Sequence, residues 1–130
     1  MRWRILLMTG LLMTGVVAAT VLGSARQAHA AACPRLLADF KRSADNATRD
    51  VSRAAEDRQR AIQRSADQDR RTRLMAQFCA ATAEASGILK SYRTVMQACV
   101  PENAAERNAG LDALNHTISQ IRASLDRDCR

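Results

Sequence analysis

Residues 74–103 read LMAQFCAATAEASGILKSYRTVMQACVPEN. Within them Met75, Phe78, Thr82, Ala85, Leu89, Tyr92, Met96 and Cys99 recur at spacings of three and four, and Leu74, Ala81, Ile88 and Val95 form a flanking row seven apart. That period predicts one long amphipathic helix whose apolar face is wide enough to meet two neighbours. Gly87 falls on the opposite, solvated side of the wheel, where it is tolerated at about 1 kcal/mol relative to Ala. Val100-Pro101-Glu102-Asn103 then stops the helix, because Pro101 lacks an N–H and biases Val100 away from helical angles.

Downstream of this break, Asn103 has the residue type of an N-cap, with Glu106 three residues on as its capping-box partner. Leu111, Leu114, Ile118, Ile121 and Leu125 follow as the seam of another helix. Upstream, Pro34 suits the first position of a helix, where its missing N–H is not needed. The stripe that follows, Leu37, Phe40, Ala44, Ala47, Val51, Ala54 and Ala61, is thin, Ala-rich and interrupted at Arg58. Between Lys41 and Arg73 only Val51 and Ile62 are large and apolar, so packing alone gives this segment little hold. Opposite charges four apart (Lys41/Asp45, Asp45/Arg49, Arg53/Asp57, Glu56/Arg60, Asp67/Arg71 and Asp69/Arg73) add about 0.2–0.5 kcal/mol each to local helicity. Strand-forming residues are scarce throughout.

The four cysteines, Cys33, Cys79, Cys99 and Cys129, test the topology. In an antiparallel helix pair, residues that meet lie equidistant from the turn. Pairing Cys33 with Cys99 puts the turn at Ala66, inside the turn-like run Ser65-Ala66-Asp67-Gln68-Asp69. Pairing Cys79 with Cys129 puts it at Ala104, beside the Pro101 break. Cys33–Cys79 and Cys99–Cys129 would instead fold the chain near Glu56 and Leu114, both inside helical pattern. Cys79–Cys99 would bridge two residues of one helix about 30 Å apart, beyond any disulfide. The sequence therefore predicts an all-α, up-down-up three-helix bundle over residues 34–65, 70–100 and 103–129, stapled by Cys33–Cys99 and Cys79–Cys129. Only 16 Leu, Ile, Val and Phe follow Ala30, so each bridge, at about 2–4 kcal/mol, matters to a small core.

The N-terminus sets the expected destination. Arg2 and Arg4 precede an uncharged run from Ile5 to Leu22, and Ala28-His29-Ala30 supplies small residues at the minus 3 and minus 1 positions. This pattern predicts a signal peptide over residues 1–30, cleaved after Ala30, a single mature helical domain over 31–130, and a periplasmic or secreted location with no membrane span left after cleavage. Rival readings are an uncleaved N-terminal anchor, since the run is 18 residues long, and lipid modification of Cys33, which lies ten residues beyond Gly23 rather than close behind the apolar run. The formal net charge of +7 belongs partly to the leader: without Arg2, Arg4 and Arg26 there remain 17 basic and 13 acidic residues. Two disulfides in an exported chain of this size fit an oxidising compartment.

Catalytic raw material is sparse. His116, the one histidine after the leader, lies on the outer face of the third helix, and Asp112 four residues before it makes at most a two-ligand clip. Glu84 and Asp39 are the carboxylates least committed to arginine neighbours, so a small hydrolase requires that they meet in a cleft. No metal, haem or cofactor pattern is present. Met75 and Met96 lie on the core seam as filler. Asn46-Ala47-Thr48 and Asn115-His116-Thr117 match glycosylation acceptors, but both fall inside helices behind a leader of bacterial type. From Arg49 to Arg73 there are eight arginines against five acids. Arg49, Arg53, Arg60, Arg64, Arg70, Arg71 and Arg73 form the candidate interaction face. The charges are interleaved and no aromatic lies between Phe40 and Phe78 to stack a base, which argues against nucleic acid. The expectation is an exported, non-catalytic helical module that binds a protein partner in the periplasm or envelope. The alternative is an electrostatic binder of an anionic envelope component through residues 49–73.

Overall fold

The computed structural model describes the backbone from Met13 and side chains from Ala32 onward. Three helices follow in order: α1 (Met13–Gln63), α2 (Gln68–Cys99) and α3 (Ala105–Asp128). The chain divides into two units, one reaching Arg35 and one comprising residues 36–130; the three-helix bundle described below is the second. Most of the leader reading, including Arg2, Arg4 and much of the apolar run, lies outside the described residues. Among those described, no helix is long and apolar enough to cross a membrane.

The expectation that the first helix begins at Pro34 is corrected: Pro34 lies inside α1. Pro34 removes one intrahelical hydrogen bond, but the alanines ahead of it are the best helix formers, and no glycine lies between Ser24 and Cys33 to end the helix there.

The turn between α1 and α2 falls in the run the cysteine spacing selects. Ala66 N–H donates to Ala61 O (3.0 Å) and Ser65 N–H to Ile62 O (3.1 Å), the paired bonds of a Schellman motif. Ser65 takes the left-handed conformation at φ 52°, a position where glycine is usual because a Cβ is unfavourable there. Asp67 then caps α2, its Oδ1 accepting from Arg70 N–H at 2.8 Å.

The second turn is built differently. The predicted Asn103–Glu106 capping box does not form: the N-cap of α3 is Ala104, with no side-chain cap bond. Ala104 N–H donates to Pro101 O (3.1 Å) and Arg107 N–H to Ala104 O (3.0 Å), so a tight backbone turn at Pro101 carries the helix start one residue past Asn103. Arg107 clamps the turn from the α3 side. Its guanidinium donates to Gln97 O in the last turn of α2 (3.2 Å) and pairs with Glu102 at 3.8 Å. A cation suits that helix end, where carbonyls are left without partners.

The core brings Ala44 and Ala47 of α1, Ala85 and Leu89 of α2, and Leu114, Ile118 and Ile121 of α3 together, with Val51, Ile88, Tyr92, Met96 and Leu125 packed against them. The seams read from the sequence are the ones buried. Thr82, fully buried, satisfies its hydroxyl by donating to Phe78 O (2.6 Å). Gly87 has open space where a Cβ would stand. Cys79 and Cys129 are bonded, Cα atoms 5.7 Å apart. Cys33 and Cys99 are disulfide-bonded too and no cysteine is free, so the second bridge is Cys33–Cys99. Ala66 lies in the first turn and Ala104 caps α3, the two positions the midpoints select.

Arg58, read as an interruption of the α1 stripe, is instead part of it. Its guanidinium lies over the Phe78 ring, 5.4 Å from the centroid, and reaches Asp128 at 3.9 Å. One arginine therefore touches both other helices beside the Cys79–Cys129 bridge. The long stem covers apolar surface and the head finds an aromatic face and a carboxylate.

Candidate functional site

The seven arginines of the candidate face do not form one surface. On α1, Arg49 is turned along its own helix, donating to Asn46 Oδ1 (2.7 Å) and Asp45 O (3.2 Å), and Arg53 pairs with Asp50 (3.5 Å). Of the pairs expected four apart, Lys41–Asp45 and Glu56–Arg60 form, at 2.9 and 3.4 Å. Arg53 takes Asp50 rather than Asp57, and Asp67 serves as a cap. The Asp45 hydrogen bond holds the Lys41 pKa above its ordinary value.

Arg60, Arg64 and Arg70 converge. They line a cavity of about 350 Å³ in the angle of the α1–α2 turn, with Asp57 on its wall and Ala61, Ala66 and Leu74 as its apolar part. Arg60 lies in the last turn of α1, Arg64 follows just past its end, and Arg70 comes from the first turn of α2. The Schellman turn at Ser65 sets them opposite one another. Arg60 is ion-paired with Asp57 (3.3 Å) and Glu56 (3.4 Å).

Arg71 faces elsewhere. With Arg130 it flanks an open, mostly apolar groove of about 470 Å³ floored by Met75, Ala76 and the Cys79–Cys129 bridge. Arg73 is exposed and lines neither. Asp128 also lines this groove, and the hydrogen bond from Arg127 lowers its pKa below the ordinary 3.8, aided by Arg58 and by a hydrogen bond from Ser124. A further groove, of about 270 Å³, runs between α1 and α3 over Leu89, Tyr92 and Met96.

Glu84 shares a groove of about 200 Å³ with Asp50, Asn46 and Ser43, and Asp39 is not among its lining residues. His116 is exposed and accepts from the Gln120 amide (2.9 Å). Among the described residues, no three His, Cys, Asp or Glu side chains are grouped so as to hold a metal ion.

Arg58, Arg93 and Arg107 are charged residues with tertiary contacts that residue type alone does not announce, Arg93 donating to Asn115 Oδ1 of α3 at 3.1 Å. Arg58 had a signal, since positions 51, 54, 58 and 61 continue the apolar row with unbroken spacing. Arg107 had none, since its partner is a backbone carbonyl ten residues away.

The chain matches no protein-family model, no curated protein and no solved structure.

Proposed function

We propose that this chain is an exported, non-catalytic helical module of the bacterial periplasm or cell envelope that works by binding another protein. The groove beside the Cys79–Cys129 bridge carries this reading. Its floor is apolar, its two flanks are the cations Arg71 and Arg130, and the disulfide fixes one wall to the other. Such a surface suits a partner segment with an apolar side chain between acidic residues, the apolar contact giving affinity and the flanking charges orienting the approach. Bonding of all four cysteines supports an oxidising compartment. The test is site-specific photo-crosslinking in living cells from Thr72, which lines the groove, with Gln59 on the exposed side of α1 as control. A discrete crosslinked protein from Thr72 alone supports the reading. Absence of any adduct from Thr72, or the same adducts from both positions, refutes it. Intact mass with non-reducing peptide mapping tests the export step, which predicts a chain starting at Ala31.

A second reading has its own observation. The convergence of Arg60, Arg64 and Arg70 on one cavity favours binding of an anionic envelope component by this end of the bundle. It predicts binding to anionic vesicles that weakens steeply as salt rises; vesicle binding that is absent or indifferent to salt removes it.

A further inference from the structure

The second reading leaves open whether the arginines act as diffuse charge or as a site. We infer that Arg60, Arg64 and Arg70 form a discrete pocket for a phosphomonoester group, an inference that rests on that reading and sharpens it.

Three guanidinium groups and one carboxylate, Asp57, line the pocket; Arg60 is taken up by Asp57 and by the neighbouring Glu56, which leaves two cations, Arg64 and Arg70, to meet a ligand. A phosphomonoester carries about −1.5 to −2 at neutral pH, a diester only one. The match is to the monoester.

Asp57 and Glu56 occupy Arg60 and hold it in place, at 3.3 and 3.4 Å. Asp67 and Asp69 also lie at this turn; Asp67 is engaged at Oδ1 by the Arg70 backbone N–H, and among the described residues neither pairs with an arginine side chain within 4.0 Å. No ion pair within 4.0 Å is formed by Arg64 or Arg70 among the described residues. Their planar forks are the donors that match tetrahedral oxyanions in bidentate fashion. The α2 N-terminus is not needed for this, because Asp67 already caps it.

At about 350 Å³ the space equals roughly a dozen water volumes at about 30 Å³ each, more than a bare phosphate fills. Leu74, Ala61 and Ala66 offer the remainder an apolar wall, so the group bound is a phosphate carried on a larger body. A lipid headgroup and a soluble phosphate ester share this chemistry.

The experiment uses the protein purified from its native compartment. Arginine side-chain NMR during titration with inorganic phosphate reads the pocket directly. Vesicles containing phosphatidic acid, a monoester, are compared with vesicles of equal charge containing phosphatidylglycerol, a diester. The expected result is movement of the Arg64 and Arg70 Nε resonances by phosphate. Arg64→Ala/Arg70→Ala is expected to weaken phosphate binding at least tenfold, while Arg49→Ala/Arg53→Ala, on α1 outside the pocket, changes it less than twofold. All four positions are exposed, and retained disulfides and helical circular dichroism confirm folding of both variants. Preference for phosphatidic acid places the phosphate on a lipid; phosphate binding without vesicle binding places it on a soluble ester, and either supports the pocket. Unmoved Arg64 and Arg70 resonances, or equal loss in the two double variants, overturn it. If vesicles still bind in a salt-dependent way, the pocket alone fails; if neither phosphate nor vesicles bind, the electrostatic reading fails with it.

Discussion

α1 and α3 both pack against α2, but they are held there by different means. α3 buries Leu114, Ile118 and Ile121, each 8% exposed, while the buried positions of α1 within the bundle are Ala44, Ala47 and Ala61. The α3 interface is a conventional aliphatic seam, in which each buried side chain removes a large apolar area from water. The α1 interface is an alanine row with little area per residue, supplemented by Arg58, which spans from Phe78 to Asp128. Stability in this bundle therefore rests unevenly, and α1 depends more on staples and side-chain clamps than on area.

The largest expected effect comes from removing a staple. Cys79→Ser/Cys129→Ser opens a loop with a sequence separation of 50, for which chain-entropy arithmetic gives about 4 kcal/mol. Chemical denaturation should show that loss. A loss below about 1 kcal/mol would mean that the α2–α3 seam alone fixes α3, and the staple would then be redundant where the core is strongest.

The seam comparison follows. Ile118→Ala is expected to destabilise by about 2–5 kcal/mol, transfer and cavity terms together. Ala47→Gly is expected to cost less, about 1.5–2 kcal/mol, the sum of helix propensity and one buried methyl. Urea midpoints of the two variants measure the difference directly. Equal losses would break the contrast between the two interfaces.

That contrast was largely readable before the fold was known. The 3-4 spacing of Leu111 to Leu125, the thin alanine stripe of α1 and the turn run at Ser65 to Asp69 all lie where side-chain period and turn chemistry are local properties of the chain. The cysteine midpoints added the long-range information, because bridged residues in a helical hairpin must be equidistant from the turn. The misses have a common cause. Asn103 has the right residue type for a cap, but the Pro101 carbonyl closes a turn that moves the helix start to Ala104. Arg58 looks wrong for an apolar row until Phe78 and Asp128 are seen beneath it. In the candidate site, the sequence placed seven arginines on one face. Which three share a cavity depends on the geometry of the turn, and no periodicity encodes that.

Arg58 gives the third prediction. Arg58→Met keeps the packing of the stem and removes the charge, so a loss of about 1 kcal/mol is expected from the cation–π contact and ion pair combined. The same clamp predicts a response to acid. Arg127 first, then Arg58, hold the Asp128 pKa below 3.8, so ionised Asp128 favours the folded state. That contribution is complete above the unfolded-state value and is lost as pH falls through the lower folded-state value. Asp128→Asn should therefore flatten the decline in melting temperature below about pH 4 while leaving the shape of the curve at neutral pH unchanged. An acid limb of the same steepness in the variant would show that other carboxylates govern it.

The smallest effect separates the two turns. Ser65 occupies a left-handed position, φ 52°, where a Cβ is unfavourable by roughly 1–2 kcal/mol. Against this, glycine has a larger entropy to lose on folding, so Ser65→Gly is expected to gain at most about 1 kcal/mol. The second turn has no positive φ among the described residues; the Pro101 carbonyl closes it and the Arg107 side chain clamps it. A glycine at Asn103 should accordingly bring no gain. Differential scanning calorimetry of the two variants tests this. A rise in melting temperature for Ser65→Gly with none for Asn103→Gly would show that the first turn stores backbone strain in a Schellman motif that the second lacks. The gain at Ser65 would also come without touching Arg60, Arg64 or Arg70, so a more stable turn with unchanged phosphate binding would separate the fold of that corner from the chemistry of its pocket.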